Sequence, residues 1–356
     1  MVGEKKVGRR EAMQLMATGL GLGVSGTVSG KGGKGGKKRS AVRVMLNWKA
    51  NATQAGYFVA KRRGFYDEQG VTVREFVPGQ GGTFAAKQVG LKRHAFGLSD
   101  AASVLTARGK GLPVRSFGTS QQRSDGVVYT VKKAFGGTLN RPKQLKGKTI
   151  AVPKDSPMTT LTKAVLKRVG VLGSVEFLGV APEQQTPMLL SGNADAAVAI
   201  FDSPTALKRK GYDASAIRLA DHMPTVGRTV VSRPKFARQN PETVRGFLRA
   251  TAKGWAWAAN NPEKAMDVMV AAKPSLKQER GMGVFKIKYT TDNLIAAGKR
   301  TRWGWQHPKS WRAVSNALFE TGVVPKTDVG AAWTNRFLDT DYRYVGDYAG
   351  QVVTNR

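Results

Sequence analysis

The sequence predicts an α/β protein of two lobes with a ligand cleft between them, and three observations carry that expectation. From residue 41 onward, short apolar strands alternate with helical stretches, the pattern of open sheets covered by helices. One phrase, a helix closing on a turn and running into a strand, occurs twice: Gln88-Val-Gly-Leu-Lys-Arg-His-Ala-Phe-Gly97 and Leu190-Ser-Gly-Asn-Ala-Asp-Ala-Ala-Val-Ala-Ile200. A chain of 356 residues, 41% of them hydrophobic, is also long enough to build two cores.

The elements follow in order. Strand 42–46 turns through 49–52 into an amphipathic helix carrying Tyr57, Phe58 and Ala60, which stops at Gly64. Gly70 opens strand 71–77. Helix 83–91, strand 95–98 and helix 101–108 come next, then strands 114–119 and 127–131. A polar entry leads into the apolar strand ending at Val152, and helix 161–169 starts a second lobe. Strand 175–178, helix 183–190 and strand 196–200 continue it, and the chain crosses back near 219–231. The resulting division is 41–125 for the first lobe, 126–220 for the second, and 221–356 for the return to the first lobe and the C-terminal helices.

Residues 1–29 have the layout of an export signal: Lys5, Lys6, Arg9 and Arg10 precede the Gly-rich apolar run 12–28, which has no acidic residue. The adjacent arginines suggest the twin-arginine route. Residues 30–40 read as a flexible Gly/Lys linker. No apolar run reaches the roughly 18 residues needed to span a bilayer. With no cysteine, disulfides, thiolate nucleophiles and thioether lipid anchors have no residue to use. Three widely spaced histidines argue against a zinc site or a Ser-His-Asp triad, so neither metal nor cofactor is expected. The net charge of +34 is spread along the chain without the interleaved aromatics of a nucleic-acid module. A solvated surface of unusual sign, a polyanion-binding surface and charge imposed on a parent sequence all remain open.

The segment 46–71, LNWKANATQAGYFVAKRRGFYDEQGV, resembles the opening of solute-binding proteins of ABC importers, in the branch that binds thiamine pyrimidine precursors and is related to the pyrimidine synthases. It carries the Leu-x-Trp-x-x-Asn turn at Leu46, Trp48 and Asn51, the helix ending Arg63-Gly64-Phe65-Tyr66, and the Gly70-Val71 strand. Residues 240–265 and 302–338 resemble the C-terminal helices of the same proteins, so the likeness covers roughly 41–340. It implies a two-lobed fold of the periplasmic-binding-protein type (type II). It also implies a non-enzymatic, extracytoplasmic importer component that captures a pyrimidine-like ligand by lobe closure and presents it to a membrane permease. Hinges are expected near 122–128 and 219–230, and a monomer is expected. The related synthases carry a cysteine-rich motif and use a histidine; a chain without cysteine departs from that pattern.

For a flat heteroaromatic ligand, Trp48 offers a stacking face and Asn51 an amide, although a packed Trp and a turn Asn would look the same. Tyr57 either closes the pocket floor or packs in the core. The glycine cluster 79–83, with Gly82 and Thr83, can cradle an anion at a helix start, or simply turn. Ser156 and Thr159 are candidate N-caps of a helix opening into the cleft. Acidic residues are scarce, 24 against 58 Lys and Arg. Asp100, Asp125 and Asp202 follow apolar strands, where open α/β sheets bind ligands, and one carboxylate can engage the amine edge of an aminopyrimidine. Each could equally cap the next helix. Asp195 reads as a structural turn residue. The charge predicts sequence-independent adhesion to DNA or heparin through counterion release, and that adhesion should collapse as salt is raised. A salt titration on heparin checks this: sequence-selective, salt-resistant binding would contradict it.

Overall fold

The computed structural model describes residues 40–154, 156–295, 303–325, 328–338, 342–344 and 352–354. The expected export signal (1–29) and residues 30–39 of the expected linker therefore lie outside the described residues.

Two five-stranded mixed sheets organise the chain. The first contains β1 (Ser40–Met45), β2 (Val71–Val77), β3 (Phe96–Asp100), β4 (Arg115–Thr119) and β10 (Arg228–Ser232), in the order β2-β1-β3-β10-β4. The second contains β5 (Gly126–Val131), β6 (Thr149–Pro153), β7 (Glu176–Val180), β8 (Ala196–Ile200) and β9 (Ala214–Arg218), in the order β7-β6-β8-β5-β9. In each sheet the first three strands of the order run parallel. Strand β10 enters the first sheet antiparallel between β3 and β4, and β5 enters the second antiparallel between β8 and β9. The sheets carry separate cores, one around Trp255, Phe247 and Phe96, the other around Val128, Ile150 and Val198.

The duplicated phrase folds alike in both lobes. Helix Gly82–Gly90 and helix Gln185–Leu190 each close on a turn that delivers β3 or β8. The Arg93 amide donates to the Gln88 carbonyl at 3.1 Å, and the Asn193 amide to the Met188 carbonyl at 3.0 Å. The left-handed position of the turn is Gly192 in one lobe (φ 80°) and Lys92 in the other (φ 67°). Asp195 is structural, as its context implied: it accepts from the Thr149 amide at 2.8 Å and from Lys148 Nζ at 2.9 Å, tying the turn to β6.

The chain passes between sheets at 120–125 and 219–227, and the two passages touch. Gly227 donates to the Gln121 carbonyl at 3.1 Å, and the Ser124 amide donates to Thr225 Oγ1 at 2.9 Å. A Cβ on Gly227 would sit 2.2 Å from the Arg123 carbonyl oxygen, so only glycine allows the strands to approach this closely. Helix Arg280–Tyr289 forms a third link. Its Val284 and Ile287 belong to the first lobe's core, while Phe285 and Tyr289 pack on the second lobe. The rings of Tyr289 and Phe201 stack at 4.1 Å, and the Leu294 carbonyl beyond the helix accepts from the Gln122 amide at 2.6 Å. Residues after 221 therefore do more than complete the first lobe.

Gly227→Ala should lower stability by about 1–3 kcal/mol, because the clash is with backbone that cannot rotate away. Equilibrium denaturation checks this; an unchanged midpoint would show that the two passages can separate at little cost.

Candidate functional site

Between the sheets lies a cavity of about 560 Å³, within the range of small-molecule sites. The C-terminal ends of β1, β3, β6 and β8 deliver loops to it, as expected for open α/β sheets. Helix Gly82–Gly90 starts in its wall without a side-chain cap, and helix Pro157–Arg168 starts in the opposite lobe, capped by Ser156 Oγ accepting from the Met158 amide at 3.2 Å.

Of the residues singled out from sequence, seven line this cavity: Trp48, Asn51, Gly82, Thr83, Asp100, Asp125 and Ser156. Their chemical freedom differs. Trp48 stays 37% exposed, an unusual state for an indole with a core nearby. Asn51 is consumed by its own turn: Oδ1 accepts from the Thr53 amide and hydroxyl, and Nδ2 donates to the Lys49 carbonyl. Asp100 is likewise engaged, capping helix Ala101–Gly109 by accepting from the Ser103 amide at 2.9 Å and its hydroxyl at 2.7 Å. Gly82 is what leaves room for that carboxylate, since a Cβ there would lie 2.2 Å from Asp100 Oδ2.

Asp125 is different. Its Oδ2 stands 3.6 Å from Arg228 Nη2, an ion pair too long to be a hydrogen bond. Burial raises the pKa of its carboxyl above the ordinary Asp value, with Arg228 and its own amide opposing the shift and Asp202 adding to it. Arg228 itself is buried; its Nη1 donates to the Thr53 carbonyl at 2.7 Å and to the Thr53 hydroxyl at 3.2 Å.

Three candidates fall outside the lining. Tyr57 is core: fully buried, edge-on to Trp255 at 6.0 Å, with its hydroxyl donating to Ser120 Oγ at 2.8 Å. Burial pushes that hydroxyl up to about 12, so it stays protonated and supports the passage between lobes. Thr159 is turned back on its own lobe, donating to the Pro153 carbonyl at 2.8 Å. Asp202 opens helix Asp202–Arg209 and is held by Lys286 Nζ at 2.7 Å, the two side chains only 13% and 16% exposed. It joins the second lobe to helix Arg280–Tyr289 and does not face the cavity.

Gln121, Tyr129, Gln185 and Arg228 are among the lining residues that sequence reasoning missed. Tyr129 sits in an apolar strand that gave no sign of a cleft, and its hydroxyl pairs with Thr186 at 2.8 Å. Gln121 shares the passage from which Asp125 was picked; its neighbourhood was the available signal. None of the three histidines lines the cavity.

A cleft between two such sheets defines a two-lobed solute-binding fold. The NMT1/THI5-like family model matches residues 51–265, and the chain belongs to that family. Three relatives are similar over most of their length. The 4-amino-5-hydroxymethyl-2-methylpyrimidine phosphate synthase of Legionella pneumophila is 24% identical, covering 85% of this chain and 94% of its own. The formylaminopyrimidine-binding protein of Halalkalibacterium halodurans is 26% identical (76% and 84%), and the riboflavin-binding protein RibY of Chloroflexus aurantiacus is 23% identical (83% and 86%). Among solved structures, the periplasmic aliphatic sulphonate binding protein SsuA from Escherichia coli superposes with a TM-score of 0.68 at 13% identity, covering 82% of this chain and 91% of that one. The fold is thus that of the periplasmic binding proteins.

Lys286→Met should destabilise the protein by about 3 kcal/mol, because it strands the buried Asp202 carboxylate without its partner. Lys286→Met combined with Asp202→Leu should recover much of that loss in thermal or denaturant unfolding. Equal losses in the single and double variants would mean the pair is not the cause.

Proposed function

We propose that this protein is the solute-binding component of an ABC importer, exported from the cytoplasm, and that its ligand is a flat nitrogen heterocycle of the aminopyrimidine kind. The observation that carries the reading is the pairing, in one cavity, of an exposed indole with a carboxylate, Asp125, that has no hydrogen-bonding side-chain partner among the described residues. Trp48 on the first lobe supplies an aromatic face, and Asp125 accepts from an exocyclic amine. The synthase and binding-protein relatives both fit pyrimidine chemistry, so the choice between enzyme and carrier rests on this chain's residues. It has no cysteine, and no histidine lines its cavity. That supports capture and delivery over chemistry. Small-molecule capture by closing lobes then places the permease-facing surface across both lobes.

Isothermal titration with aminopyrimidines, flavins and sulfonates tests the reading. Trp48→Ala and Asp125→Asn should each weaken binding by about 1–3 kcal/mol while leaving the fold intact. The pKa of Asp125 is raised by burial, so its charged form is lost on acidification at a higher pH than an ordinary Asp would be. Affinity should therefore fall as pH drops through that raised range, and Asp125→Asn should lack this component of the fall. Tight binding of sulfonates with no response to an amine-bearing ring would overturn the assignment.

A further inference from the structure

Two glutamines in the cavity wall are chemically unfinished. Gln121 is 1% exposed and Gln185 4% exposed, and each buries an amide nitrogen that has no hydrogen-bond partner among the described residues. A sealed, unpaired amide of this kind costs roughly 1–3 kcal/mol, and these two lie in the wall of one cavity. The backbone of Gln121 is fully used, its amide donating to the Arg228 carbonyl at 3.1 Å and its carbonyl accepting from Gly227, so the main chain is fixed while the side-chain amide nitrogen is buried without a partner among the described residues. Gln185 begins helix Gln185–Leu190 in the opposite lobe. When the duplicated phrases are aligned at their common helix ends, Gln185 takes the place that Ala85 fills in the first lobe. Ala85 is completely buried there, so packing at that point needs no more than a methyl group.

We propose that Gln121 and Gln185 are specificity-determining residues that read hydrogen-bond acceptors on opposite edges of the ligand, with Gln121 and Asp125 together reading one donor–acceptor edge. The inference rests on the heterocycle reading above and sharpens it. The ligand presents an amine beside a ring nitrogen to Asp125 and Gln121. It presents a second acceptor, a ring nitrogen or carbonyl oxygen, to Gln185. A terminal χ3 torsion is broad and roughly two-fold, so each amide can turn its NH2 to a ligand that arrives. Because Gln121 lies on the passage between sheets and Gln185 on the second lobe, a ligand bonded to both spans the cleft. A sulfonate offers acceptors to the glutamines but no donor to Asp125, and is discriminated against by that carboxylate.

The test uses Gln121→Leu and Gln185→Leu, which keep the approximate side-chain volume, with Gln185→Glu as a variant that keeps the polarity and removes the NH2. The probes are a 4-aminopyrimidine bearing a carbonyl substituent, its analogue with the ring nitrogen beside the amine replaced by CH, and its analogue without the carbonyl. Each leucine variant should bind the full probe on the order of tenfold more weakly. Gln121→Leu should lose nothing further against the CH analogue, and the Gln185 variants nothing further against whichever analogue lacks their acceptor. The unliganded leucine variants should melt at the same temperature as the parent or higher, since the orphan donor is gone; a purely structural glutamine would give a lower one. Parent-like affinity in both leucine variants, or clear destabilisation of the free protein with unchanged affinity, overturns the inference while leaving the heterocycle reading in place. Failure of the parent protein to bind any of the probes overturns both.

Discussion

Arg228 is the residue on which the architecture turns. Its carbonyl accepts from the Ser120 and Gln121 amides and from the Thr119 hydroxyl, which fixes one passage between lobes against the other. Its guanidinium holds the start of the first lobe's helical segment through Thr53 and faces Asp125 across 3.6 Å. Hydrogen bonds to a charged donor are worth about twice neutral ones, and within a low-dielectric interior they are directional anchors. Through the backbone and side chain of this one residue, the closeness of the two passages and the charge of the cleft become a single arrangement. A lysine could supply the charge but not the planar set of donors that reaches Thr53 and Asp125 together.

Much of this was legible in the sequence. Strand and helix alternation, and the phrase that occurs once in each lobe, are local patterns, and the fold class followed from them. The residues of the turn after β1 were legible for the same reason: Trp48 and Asn51 lie within a few positions of a strand end. What a sequence cannot display is how a polar group is already committed. Asn51 and Asp100 line the cavity, yet their oxygens are occupied by Thr53 and Ser103, both close by in sequence but serving as donors only once the turns form. Asp202 was drawn from the same rule as Asp125, but its partner Lys286 lies far along the chain and arrives only through tertiary folding. Tyr129 and Gln185 were invisible because inward and cleft-facing positions look alike on a strand or a short helix. Strand β9 was passed over, its run broken by Ser215 and flanked by charge.

The opposed fates of the acidic residues clarify the charge anomaly. In a chain carrying +34, the three acids after apolar strands lie within the fold and each has a defined place there, as a cap, as half of an inter-lobe pair, or as an open acceptor in the cleft. Many cations lie on exposed positions such as Lys92, Lys110, Lys133 and Lys210. The interior is therefore electrostatically ordinary while the exterior is not. Ligand recognition inside a cavity depends on short contacts, whereas the outer field acts through solvent and is screened within about a nanometre at physiological salt.

The placement of β10 has a consequence for how the molecule is made. The strand lies in the middle of the first sheet, between β3 and β4, yet it is translated after the whole of the second lobe. During synthesis the second sheet, contiguous from β5 to β9, can close on itself as soon as it leaves the ribosome. The first sheet at that stage has a gap where two neighbours expose unpaired backbone. An exposed pair of strand edges is a site for wrong partners, and chain segments this far apart meet slowly. A chain bearing strong like charge on its surface repels its own copies through that interval, which gives the nascent sheet time to receive its own central strand.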